Sequence, residues 1–142
     1  MNKYTALLLS LFLLPALLFA GKATTPKGLQ AEIREQRSTT DAIATAIQQR
    51  NAITFTYKGA QRTVHPHRLG KSKTGNVLLR AWEKEKEGVP VNGWRLYKVQ
   101  EIKSARLIEA TSFEIAPDYK SPDSSIPTVF LEIPINNKRA AE

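Results

Sequence analysis

The sequence predicts a mainly β fold: a small five-stranded antiparallel barrel preceded by one short α-helix. Three observations lead there. The hydrophobic period switches from helical to alternating after Asn51. Five short alternating runs then follow with brief connections. The chain has 142 residues, room for one compact domain with tails. Hydrophobic residues make up 42%, which is ordinary for a globular chain and argues against wholesale disorder.

The chain opens on a segment that does not belong to this fold. Lys3 and the α-amine form a positive head, and Thr5 to Phe19 is almost purely apolar. Pro15 breaks the run towards its end, and Gly21-Lys22-Ala23 puts small residues where a cut after Ala23 needs them. Residues 1–23 therefore read as a secretory signal peptide. The rival reading is an uncleaved membrane anchor, because the run sits at the lower edge of the ~17–25 residues that span a bilayer. The expected location is periplasmic or secreted after cleavage, or anchored in the inner membrane if the segment stays.

Residues 24–39 read as a linker, with Pro26, Gly28 and mixed charge, or as a linker with a short helical start over Leu29–Arg37. Ser38-Thr39-Thr40-Asp41 offers helix N-caps. Ile43, Ala46 and Ile47 then stand at helical spacing, so a short amphipathic helix is expected over Asp41–Arg50. Ile53, Phe55 and Tyr57 alternate with polar residues as a first strand. Lys58-Gly59-Ala60 is a turn, and the second strand runs from about Gln61 to Leu69. GKSKTG (70–75) is a basic loop. Val77, Leu79 and Ala81 mark the inward side of a third strand that ends at Trp82. Glu83 to Asn92 reads as a charged loop or hairpin end. Trp94–Val99 and Ile102–Ile108 complete the five strands. From residue 121 the prolines and serines read as a Pro-rich C-terminal tail, 121–142. Within it Val129–Ile133 has the pattern of an edge strand or a partner-binding segment.

Composition excludes several chemistries. The absence of cysteine rules out disulfides, a thiolate zinc site and a cysteine nucleophile. Twenty-one basic against thirteen acidic residues give +8, which favours anionic partners. No G-x-S-x-G, P-loop, H-E-x-x-H or G-x-G-x-x-G occurs, and GKSKTG lacks both the P-loop spacing and a following helix. His65 and His67 share a strand face, but no Asp or Glu lies near them in sequence to complete a metal site. Glu83, Glu85 and Glu87 alternate with lysines, the pattern of a solvated hairpin end. The sequence thus points to no enzyme, no metal and no cofactor. Strand alternation does offer one surface. If the third and fourth strands pair, Arg80, Trp82, Arg95 and Tyr97 form a cationic and aromatic face suited to phosphate and base. The same residues equally fit solvated arginines with aromatic rings covering a barrel end.

Several motifs, taken in order, resemble the WYL domain, a small Sm-like or SH3-like barrel of bacterial regulators. AIQQRNAITFTYKG resembles the family opening, and VHPHRLG (64–70) its second-strand Pro-His motif. GNVLLRAWE and GWRLYKVQEI resemble its third strand and its R-x-F-R-x-D-R-I signature, and TSFEIAPDY its exit segment. The resemblance covers a domain over about 40–120. Leu78 stands at the name-giving tyrosine, and Glu101 where the family carries arginine. The resemblance implies a non-catalytic sensor of an anionic ligand, a nucleotide or single-stranded nucleic acid. The ligand-binding residues expected are His67, Arg68, Arg80, Trp82, Arg95, Tyr97 and Lys98. The alternative is a structural or interaction module that engages a protein partner through the C-terminal tail.

Overall fold

A computed structural model describes residues 26–135. The segment expected as signal peptide or anchor lies outside the described residues. The elements are α1 (Lys27–Gln49), β1 (Ala52–Tyr57), β2 (Ala60–Lys71), β3 (Val77–Lys86), β4 (Val89–Lys98), a 3-10 turn (Val99–Glu101), β5 (Ile102–Ile108) and β6 (Thr128–Glu132). By its contacts the chain divides after Ile33. The described part of the first unit is the opening of α1, where Leu29 and Ile33 are exposed. The rest of α1 and all six strands form the second unit.

The helix is longer than its apolar pattern predicts, and it takes in most of the expected linker. Ser38–Asp41 does not cap it. Instead Thr40 Oγ1 donates to the Gln36 carbonyl at 2.9 Å, bonding back into the preceding turn. Thr39, Ile43, Ala46 and Ile47 form its buried face. Arg50, at φ 55°, turns the chain out of the helix.

The sheet order is β4-β3-β2-β1-β5, antiparallel throughout, with β6 also on β2. β1 pairs with Ala60–Val64 of β2, and β6 with Arg68–Lys71. Two short strands thus share one side of the long one. The expectation of a closed five-stranded barrel is corrected: six strands form one sheet, and β4 and β5 do not pair to close it. The sixth strand is the segment in the Pro-rich tail. It is seated by Ile126 and Ile133, both buried. Gly70 makes this possible, since a Cβ there would lie 2.1 Å from the Thr128 carbonyl oxygen and 2.4 Å from Ile126 Cγ2.

The core gathers the inward side of each strand against α1. Ile53, Phe55, Tyr57, Leu79, Ala81, Tyr97, Val99 and Ile102 pack with Ile43 and Ile47. Phe55 and Tyr57 meet the Tyr97 ring edge-on at 5.0 and 4.9 Å. Of the two readings of 83–92, charged loop or hairpin end, the structure shows the second, the paired end of the β3–β4 hairpin. Its turn is Glu87-Gly88, with φ of 52° and 74°, the positive values that a tight two-residue hairpin turn requires.

Candidate functional site

Strand register decides which predicted site residues meet. Residues directly opposed in an antiparallel pair point to the same face. From the turn, β3 and β4 pair as Lys86↔Val89 and Glu85↔Pro90, then slip so that Glu83 faces Gly93. Beyond this bulge Trp82 opposes Trp94, Ala81 opposes Arg95, Arg80 opposes Leu96, and Leu79 opposes Tyr97. The expected joint face of Arg80, Trp82, Arg95 and Tyr97 therefore does not form. Arg80 and Trp82 share a face with Trp94 and Leu96. Arg95 and Tyr97 lie on the opposite side with Ala81 and Leu79. Without the inserted residue Arg80 would have faced Arg95, as the sequence reading assumed.

Tyr97 is a core residue and offers no stacking platform. It is 1% exposed, and its hydroxyl donates to Glu83. Burial pushes its phenol up, and the Glu83 carboxylate adds to that. Glu83 itself is 1% exposed, against the expectation of a solvated hairpin end. It accepts from Arg62 Nη1 at 3.0 Å, and Arg95 Nε lies 3.7 Å away. This buried carboxylate was missed because its charged neighbours dominate the run. The signal was there: Val77, Leu79, Ala81 and Glu83 keep period two, so Glu83 continues the inward side.

His67 is fully buried and neutral. Its Nε2 accepts the Ala116 amide at 3.1 Å, which leaves the proton on Nδ1 to be donated to the His65 carbonyl at 2.8 Å. Burial, together with the nearby His65 and Arg50, lowers its pKa to about 4. His65 stacks flat on Phe113 at 4.3 Å between ring centroids. Among the described residues no group of three His, Asp or Glu is placed to hold a metal ion. None of the described helices is long and apolar enough to cross a membrane.

Arg68 is 1% exposed. It donates to Glu132 at 2.6 Å, to Ser121 Oγ at 2.8 Å and to the Tyr119 hydroxyl at 3.3 Å. Tyr119 in turn donates to Glu132 at 2.7 Å. Burial favours protonated Glu132, but Tyr119, Arg68 and Ser121 outweigh it and hold the carboxyl below its ordinary range. Arg80 stands directly opposite Arg68 across β2 and β3. Its Nε and Nη2 donate to the two Asp123 oxygens at 2.8 and 3.3 Å. Burial raises Asp123, yet Arg80 and the Ser125 amide win and its pKa is lowered. Lys98 is exposed at the far end of β4, where its backbone amide donates to the Tyr57 hydroxyl at 3.2 Å.

One accessible cleft, of ≈ 510 Å³, is lined by Arg80, Trp94, Asp118, Tyr119, Lys120 and Asp123. Trp94 is fixed by its Nε1, which donates to the Pro117 carbonyl at 2.8 Å. Its ring lies 5.6 Å from Tyr119 and 4.8 Å from His67. Two cations, Arg80 and Lys120, stand in the cleft with two carboxylates, Asp118 and Asp123, beside the Trp94 and Tyr119 rings; cations and aromatic faces are the groups that receive phosphate and a flat ring. Sequence reasoning missed Trp94 and Lys120 here.

Residues 38–107 match the family model of the WYL domain. The WYL match runs from within α1 almost to the end of β5. It takes in His67, Arg68, Arg80, Glu83 and Arg95, whereas Tyr119, Asp123 and Glu132 lie beyond it. Among solved structures, the proteasome accessory factor B/C (PafBC) of Arthrobacter aurescens is similar at 18% identity and a TM-score of 0.50. That likeness covers 58% of this chain and 13% of the PafBC chain, and it speaks for the fold. No curated protein matches the sequence.

Proposed function

We propose that the chain is a non-catalytic sensor domain that binds an anionic ligand, a nucleotide or single-stranded nucleic acid. The observation that carries this is the open cleft lined by Arg80, Lys120 and the Trp94 and Tyr119 rings. The WYL match, a family that the sequence motifs tie to bacterial regulators, supports it. We read the open sheet as a relative of the Sm-like and SH3-like barrels. The apolar N-terminal segment supports export, or tethering to the inner membrane if it is not cleaved.

Labelled single-stranded oligonucleotide titrated against the full chain at low salt tests the reading. Arg80→Gln should weaken binding by roughly 1–3 kcal/mol and reduce the salt slope by about one. Unchanged affinity and slope would refute it. A second reading rests on β6, where Val129 and Phe130 are 44% and 54% exposed on a strand paired on one side only. Such an edge suits a protein partner, and its apolar contact would be insensitive to salt.

A further inference from the structure

We infer that Asp123 occupies the ligand's anion seat on Arg80 in the free protein, so that the phosphate of a nucleotide or phosphodiester strand binds by displacing the Asp123 carboxylate together with its 122–125 turn. The inference rests on the cleft reading above and specifies how that cleft is gated.

Asp123 meets Arg80 through two parallel hydrogen bonds, at 2.8 and 3.3 Å. That is the fork a phosphate takes on a guanidinium. The carboxylate reaches Arg80 from the segment that lines the cleft, so an entering phosphate would approach by the same path. Strands β1–β5 supply neither arginine's counter-ion. Arg68 and Arg80 are opposed across neighbouring strands, an arrangement that repels unless countered. Both counter-ions, Glu132 for Arg68 and Asp123 for Arg80, come from the chain after β5.

The two pairs differ in how firmly they are held. Glu132 belongs to a paired strand and to a network with Tyr119 and Ser121. Asp123 belongs to the short turn between Ser121, which accepts from Arg68, and buried Ile126. Within that turn Pro122 and Ser124 are exposed, and Asp123 and Ser125 are partly covered. Arg68 therefore remains a structural cation, and Arg80 is the arginine that can exchange partners.

The test compares wild type, Asp123→Asn, Arg80→Gln and the Asp123→Asn/Arg80→Gln double variant, each as the full chain. Binding of labelled oligothymidylate at low salt is read by anisotropy, with folding checked by circular dichroism. Asn keeps an oxygen to accept the Ser125 amide, bonded at 2.9 Å in the wild type, so the turn is retained. Asp123→Asn should bind about tenfold more tightly than wild type, because the competing carboxylate is gone. The double variant should lose that gain. In wild type, saturating oligonucleotide should speed amide hydrogen exchange at Ser125 and Ile126, whose N–H groups bond to Asp123. If Asp123→Asn binds no more tightly while Arg80→Gln binds more weakly, Arg80 contacts ligand without competition; the gating falls and the cleft reading stands. A gain that persists in the double variant is a general charge effect and overturns the seat. If none of the four proteins binds, both the seat and the cleft reading fall.

Discussion

Lowering the pH should unfold this domain through His67. The imidazole is fully buried, and both ring nitrogens are committed, Nε2 as acceptor and Nδ1–H as donor. Protonating Nε2 would set an N–H against the Ala116 N–H and place a charge among Trp94, Phe113 and Tyr119. Its pKa is lowered from 6.5 to about 4. Between those values the unfolded chain holds a proton that the folded chain does not, so stability falls as pH falls through the window. Two and a half pH units at about 1.4 kcal/mol each give roughly 3 kcal/mol. That is a large share of the roughly 5–15 kcal/mol typical of a domain. Urea denaturation at several pH values between 7 and 4 measures the loss. His65 shares the downward shift, and Asp123 and Glu132 contribute at the acid end, so the same series on His67→Gln isolates the buried ring. A wild-type stability that is flat from pH 7 to 5, or a His67→Gln series with the same slope, would refute the reasoning.

Two further substitutions probe the frame. Glu83→Ala leaves the Tyr97 hydroxyl and Arg62 without their buried acceptor and should cost about 3–5 kcal/mol, read as a fall in melting temperature. Glu83→Gln, which keeps an acceptor oxygen, should cost less. Gly70→Ala drives a methyl into the Thr128 carbonyl and the Ile126 side chain. It should cost roughly 1–3 kcal/mol and speed amide exchange over 128–132, while β1 stays protected.

What the sequence reveals of the fold follows from what alternation can and cannot encode. Ile53, Phe55 and Tyr57 declare a strand because each inward position is apolar. Ile43, Ala46 and Ile47 declare a helix for the corresponding reason. The first half of α1 has no buried face to declare, and Ser38–Asp41 resembles a start because a hydroxyl that caps a helix can equally bond back within one. Glu83 breaks the apolar code of β3, since its partners Arg62 and Tyr97 lie on other strands. The site was legible only in part, for a different reason. Alternation fixes the faces of one strand relative to each other. The relation between two strands depends on register, and one bulged residue near Asn92, at φ 53°, reverses it. Arg80 and Trp82 were therefore correctly paired with each other and wrongly joined to Arg95 and Tyr97. Asp123 and Glu132 were out of reach because ion pairs 43 and 64 residues apart leave no local pattern.

The division of β2 between two short strands has a consequence during synthesis. β1 covers the first half of β2 from a few residues away, and β3 follows along its other side. The second half waits for β6, whose Leu131 must find Leu69. A ribosome still adding residues before 126 holds a nascent sheet with Arg68 exposed and its counter-ion not yet made. The charge can be sealed only when Glu132 arrives, so the domain reaches its native interior only after β6 has been made. Loop closure over that distance adds an entropic cost that a shorter connection would avoid. A nascent chain stalled at residue 120 should therefore be protease-sensitive through β2, and one extended past residue 135 beyond the ribosome should be resistant.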